Sequence, residues 1–145
     1  MISKVAILVA RVIFAGAFFI AMFFKFTGIG DTATAIASIG FPFPLFFAWV
    51  AAFFELGLAL AFLTGAFFTE AAILAAAYVL FLGFAFHGPS AWHGNPMEFG
   101  FFVDHFVFIA GLLYAAVHGS GSPALRWTLP RLAARPSAPP APVLR

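Results

Sequence analysis

Polar residues are so sparse along this chain that the pattern is best read as four long apolar runs with punctuation between them: residues 5–24, 43–63, 71–86 and 99–117. A helix rises 1.5 Å per residue, so roughly 20 apolar residues match the thickness of the hydrocarbon core of a bilayer. The pattern predicts an all-α protein: a four-helix transmembrane bundle, antiparallel, occupying residues 1–119 with helices over about 5–26, 43–64, 67–87 and 98–118. The third run is strictly apolar only over a short stretch and needs residues 67–70 to span.

The punctuation supports these boundaries. Gly28, Gly30 and Asp31 end the first helix and begin a loop, in which residues 31–39 have the spacing of a short interfacial helix. Pro42 and Pro44 mark the start of the second helix, because first-turn N–H groups lack helical partners anyway. Gly65 closes it, and Thr69 and Glu70 read as the cap and first-turn acid of the third. His87, Gly88 and Pro89 stop the third helix, Trp92 suits the headgroup belt, and His118 and Gly119 end the fourth. Residues 120–145 form a Pro/Ala/Arg tail, expected to be extended or partly disordered.

Composition agrees: 64% of the residues are hydrophobic and 8% charged, too little polar surface to coat a soluble domain of 145 residues. A formal net charge of +2 could suggest nucleic acid, but the basic residues are scattered and flank apolar runs, which is the pattern of topology signals. Lys4 and Arg11 stand on the N-terminal side, Arg126, Arg131, Arg135 and Arg145 in the tail, and the loops at 27–42 and 87–98 contain no Lys or Arg. Both termini are therefore expected in the cytoplasm, with the chain a multi-pass protein of the inner (plasma) membrane. Lys4 before an apolar run resembles a signal peptide, but Arg11 interrupts the run and apolarity continues to Phe24, which favours a retained helix. The chain has no cysteine, which excludes disulfides and Cys-ligated iron–sulfur clusters within it.

Ionisable residues inside such helices are costly unless they face the bundle interior, so Arg11, Glu55, Asp104 and His105 are the first candidates for chemistry. Placing residue 5 level with residue 63 sets Arg11 and Glu55 both about 10 Å from one boundary. This predicts an ion pair that fixes the register of the first two helices, or alternatively a Glu55 that carries protons or bonds a quinone-like head group. Lys25, His87, Asp104 and His105 lie toward the opposite face, where they either converge as a second cluster, Lys25 sharing a helical stripe with Arg11, or stand apart, with Lys25 reaching the interface and the histidines bonded to backbone carbonyls. His87, His93 and His105 match no metal-ligand spacing, and His87 and His105 fit an axial haem pair only loosely, so no metal, haem or iron–sulfur centre is expected. The 23 Phe residues include doublets that cannot all point inward, so most face lipid or another subunit.

Several short motifs resemble the DoxX family of small four-helix membrane proteins. They are Arg11 followed by Phe24-Lys25-Phe26, Gly40-Phe41-Pro42 before the second helix, Phe54-Glu55-Leu56-Gly57 with Leu63-Thr64-Gly65, His87, and Gly119 with Arg126-Trp127-Thr128-Leu129. The resemblance covers about residues 5–130. It implies a four-helix bundle in a membrane oxidoreductase setting, since relatives include a subunit linked to thiosulfate oxidation with quinone as acceptor and members grouped with oxidative-stress enzymes. Carried over by position, Arg11, Lys25, Glu55 and His87 would be the polar residues of the bundle. The chain departs at Asp104-His105, where a basic residue followed by an amide would be expected. The expectation is an accessory subunit of a quinone-linked membrane redox system, with Arg11, Lys25, Glu55, His87, Asp104 and His105 around a quinone and Glu55 and His87 as candidate proton carriers. The alternative is a purely structural subunit whose Phe-rich surface packs against other membrane subunits or further copies of itself. In either case the bilayer is a partner and nucleic acid is not.

Overall fold

A computed structural model describes residues 2–125; the tail beyond, with Arg126 and the other tail arginines, lies outside the described residues. Helices are α1 (Ile2–Thr27), α2 (Ile29–Ser38), α3 (Pro44–Thr64), α4 (Phe68–His87) and α5 (Pro96–His118), with one 3-10 turn at Pro89–Ala91. Among the described residues four of these helices, all but α2, are long and apolar enough to cross a membrane.

The ends follow local chemistry. Gly28 alone breaks the chain between α1 and α2, so Gly30 and Asp31, expected in a loop, instead form the first turn of α2. Pro44 opens α3, and Gly65 closes it at φ 77 while its N–H reaches Ala61 O at 2.8 Å. A side chain on Gly65 would also meet Ala124 Cβ at 2.5 Å. Thr69 is not the cap of α4: the helix begins at Phe68 after Phe67, and the Thr69 hydroxyl donates to Ala116 O of α5 at 3.3 Å. α5 is capped by Asn95, whose side chain accepts from Met97 N at 3.2 Å.

Aromatic rings set how the helices stack. Phe14 and Phe18 of α1 close on Phe62 of α3 at 5.4 and 5.7 Å between centroids, and Phe62 closes on Phe68 of α4 at 5.4 Å. Buried alanines at 72, 75 and 76 line the inner face of α4. α1 packs on α3 and α4 on α5, each pair antiparallel, and α2 packs on α3. No Cα of α1 comes within 8 Å of one in α5; the two helices meet through Phe14, Phe18 and Phe108, with centroids 5.5 and 5.8 Å apart. The Phe doublets divide as helical geometry requires: Phe18 and Phe68 are buried while Phe19 and Phe67 are exposed, and Phe23 and Phe24 both face outward.

α5 stands apart. Only 6% of its membrane-length stretch is buried, against 28% to 39% for the other three, so most of its surface is available to lipid or to another chain.

Candidate functional site

The ring contacts Phe18–Phe62 and Phe26–Phe53 fix the register of α1 against α3. In that register Arg11 lies beside the C-terminal end of α3, and Glu55, about two turns further into α3, lies level with the last turns of α1. The expected Arg11–Glu55 pair is therefore not formed. Both residues are buried, but each has a different set of partners. The expectation set residue 5 level with residue 63, whereas the helices are staggered from that alignment: Arg11 is the residue that meets Phe62 and Leu63, and Lys25 is the one that meets Glu55.

Arg11 is held by main-chain carbonyls. Its Nε donates to Phe62 O at 3.2 Å and Nη2 to Leu63 O at 2.8 Å, the orphan acceptors at the end of α3. Its Nη1 donates to Ser120 O at 3.1 Å and Pro123 O at 2.6 Å, in the segment after α5. Leu125 N donates to Thr64 O at 2.9 Å, so this segment is strapped over the end of α3. A guanidinium offers five donors in a planar fork, and here it joins α1, α3 and the strap.

Lys25 takes the place Arg11 was expected to fill. Its Nζ lies 2.8 Å from Glu55 Oε1, with the side chains 20% and 2% exposed. The same oxygen accepts from Tyr78 OH at 2.9 Å. Oε2 of Glu55 is buried and has no hydrogen-bond partner among the described residues. Tyr78 was not anticipated as part of the site. Its signal was a phenol in an otherwise apolar run, where a buried hydroxyl needs an acceptor.

Lys25, Thr32, Tyr78, His87 and His105 line a cavity of about 440 Å³ whose remaining wall is apolar, including Ile36 and Phe41 on the α2 side and Phe54 and Phe81 from α3 and α4. His87 Nδ1 lies 2.6 Å from Glu98 Oε2, and Trp92 Nε1 donates to His87 O at 2.8 Å, fixing the end of α4 to the start of α5. Glu98 was also missed; its signal was an acid in the turn after the His87 loop. His105 Nδ1 donates to Phe101 O at 2.6 Å, which leaves Nε2 for another partner. The His87 and His105 rings are 5.1 Å apart between centroids. Gly83 permits this approach, since a Cβ there would sit 3.2 Å from His105 Cβ.

Asp104 differs from the rest of the cluster. It is exposed and makes no hydrogen bond or ion pair among the described residues. It borders a separate cleft of about 380 Å³ between α1 and α5, which Glu55, Tyr78 and His105 also line. The structure thus brings Lys25, Glu55, Tyr78, His87 and His105 together, places Asp104 on a second opening, and sets Arg11 apart. Among the described residues no group of three His, Asp or Glu side chains is placed to hold a metal ion.

Comparison with curated proteins and with solved structures gives no match. The family model for DoxX matches residues 6–88, which run from the start of α1 through His87 and contain Arg11, Lys25, Glu55, Tyr78 and His87. With four membrane-length helices around this polar cluster, the chain belongs to the DoxX family of membrane proteins.

Proposed function

We propose that this protein is an accessory subunit of a quinone-linked membrane redox system and that the cavity beside Lys25 receives the quinone head group. The observation that carries the reading is the cavity itself, within the 300–1,000 Å³ typical of small-molecule sites and walled by aromatic and aliphatic side chains with a few convergent polar groups. The residues present fit such a group. Lys25 and the histidines can donate to carbonyl oxygens, and Glu55, which does not itself line this cavity, is joined to its wall by the hydrogen bonds it accepts from Lys25 and Tyr78. A bound quinone supplies two-electron, two-proton chemistry. In this setting Lys25 orients an oxygen, Tyr78 keeps the Glu55 carboxylate in one rotamer, and Glu55 and His87 hold or pass protons. The Lys- and Arg-free loops at 28–43 and 88–95 support an inner-membrane orientation with both termini in the cytoplasm.

The test is binding of a short-tailed quinone to the protein in lipid nanodiscs, alongside extraction of quinones that copurify from mild detergent. Saturable binding that falls at least tenfold in Glu55→Gln and Lys25→Met is expected; binding that does not saturate overturns the reading. A second reading, a structural subunit docked by its outer surface, is favoured by the exposure of α5. It predicts unchanged quinone turnover in Glu55→Gln together with loss of assembly.

A further inference from the structure

Two openings flank the Lys25–Glu55 pair, and they differ in what they offer a ligand: Lys25 lines one and Glu55 the other. The cavity beside α2 has Lys25 in its wall, whereas the cleft between α1 and α5 has no Lys or Arg and is bordered by two carboxylates, Glu55 and Asp104. Glu55 is 1% exposed, and while Oε1 takes the hydrogen bonds of Lys25 and Tyr78, Oε2 takes none. Asp104 has no partner at all among the described residues, although it lies within a membrane-length helix. Lys25 balances one carboxylate, and the cleft's one further nitrogen base, His105, bonds Phe101 O and not Asp104, so the cleft carries one unpaired acid where water is scarce. Such a group is retained in hydrocarbon only when something pairs with it.

We propose that the cleft between α1 and α5 is a second site, separate from the cavity beside Lys25, that binds the protonated amine of a lipophilic molecule. An ammonium meets both needs of the cleft: it supplies the missing positive charge, and its N–H groups donate to Asp104 and to Glu55 Oε2. A neutral alcohol donates but leaves the charge unbalanced, and a quaternary ammonium balances the charge but donates nothing. The apolar body of the ligand has a surface to lie on, because Ala17 and Ala21 of α1 are small where Phe108 of α5 is large, and the backbones of the two helices stay apart. The volume of about 380 Å³ admits one aromatic ring and a short alkyl stem. Entry is lateral, from the membrane, because Asp104 is on the exposed side of α5.

The experiment uses the full chain in nanodiscs, with empty nanodiscs subtracted, and titrates 4-phenylbutylamine, its N,N,N-trimethyl analogue and 4-phenylbutanol. Saturable binding of the amine is expected, at least tenfold tighter than the alcohol and several-fold tighter than the trimethyl compound. Asp104→Asn is nearly isosteric at an exposed position and should keep the helical circular dichroism and thermal midpoint while weakening the amine at least tenfold. Affinity for a short-tailed quinone should stay within twofold in that variant. Equal binding of amine and alcohol, or equal amine binding by Asp104→Asn and the parent, overturns the proposal. Mutual displacement of amine and quinone with one shared stoichiometry also overturns it. Failure of quinone binding alone removes the reading of the first cavity and leaves the second site standing.

Discussion

The interface between α1 and α3 has two charged ends built to opposite plans. At one end Arg11 is surrounded by acceptors: four main-chain carbonyls within 3.2 Å of its nitrogens, beneath a strap formed by residues 120–125. At the other end Lys25 and Tyr78 share a single oxygen of Glu55, the second oxygen is left without a hydrogen bond, and cavities open on two sides. Between them lies the stack of Phe14, Phe18 and Phe62. A buried guanidinium with four of its five donors spent on main-chain carbonyls holds the fold in one arrangement and has little left to offer a ligand. A buried carboxylate with capacity to spare, next to space, has the features of a binding centre. Both ends hold a buried ionised side chain, a lone cation at one and an ion-paired carboxylate at the other, and it is spare hydrogen-bond capacity beside open space that separates them.

The sharpest way to break this contrast is to remove Arg11. Arg11→Leu leaves the carbonyls of Phe62, Leu63, Ser120 and Pro123 without their donor, and a loss of about 3–5 kcal/mol is expected in reversible SDS unfolding. Quinone affinity of the folded fraction should not change. Arg11→Lys should restore less than half of the loss, since one ammonium cannot span the same fork. Next in size, Glu55→Gln should lower quinone affinity at least tenfold, equivalent to about 1.4 kcal/mol, while costing less stability than Arg11→Leu. If it proved as destabilising as Arg11→Leu and left quinone affinity intact, the two ends would be the same kind of structure.

Smaller changes sharpen the picture. Tyr78→Phe removes one interhelical hydrogen bond and should cost about 0.6–1.7 kcal/mol in stability. It should also weaken quinone binding, because the Glu55 carboxylate is freed to turn. Least of all, Glu98→Gln alters the half-exposed contact with His87 and should change stability by only about 0.2–1 kcal/mol, an effect that shrinks as salt is raised.

Much of the architecture was legible because apolar runs of membrane length have few alternative readings, and Pro44, Gly65 and Gly119 mark helix ends by backbone chemistry. The pairing was not. A uniformly apolar helix gives no periodic face from which to read stagger, so the offset that matches Lys25 to Glu55 comes from ring packing of Phe18 on Phe62 and Phe26 on Phe53. The partners of Arg11 were invisible for a different reason: every acceptor is main chain, and no side-chain motif marks a carbonyl. Tyr78 and Glu98 could have been found by asking which polar side chains in or beside the apolar runs still lacked a partner. Asp104 was marked as a departure from the family pattern, and the structure places it at a cleft that includes Glu55.

The strap over α3 has a consequence for biogenesis. Arg11 is made well before two of its acceptors, Ser120 and Pro123, which follow 109 and 112 residues later. At roughly 5–20 residues per second, translation leaves its guanidinium waiting on the order of ten seconds for those last ligands. Until the chain has grown past them, the insertion machinery or lipid phosphates must shelter that charge. Nascent chains arrested short of Ser120 should therefore stay crosslinkable to the translocon through α1, and release should coincide with synthesis of the strap.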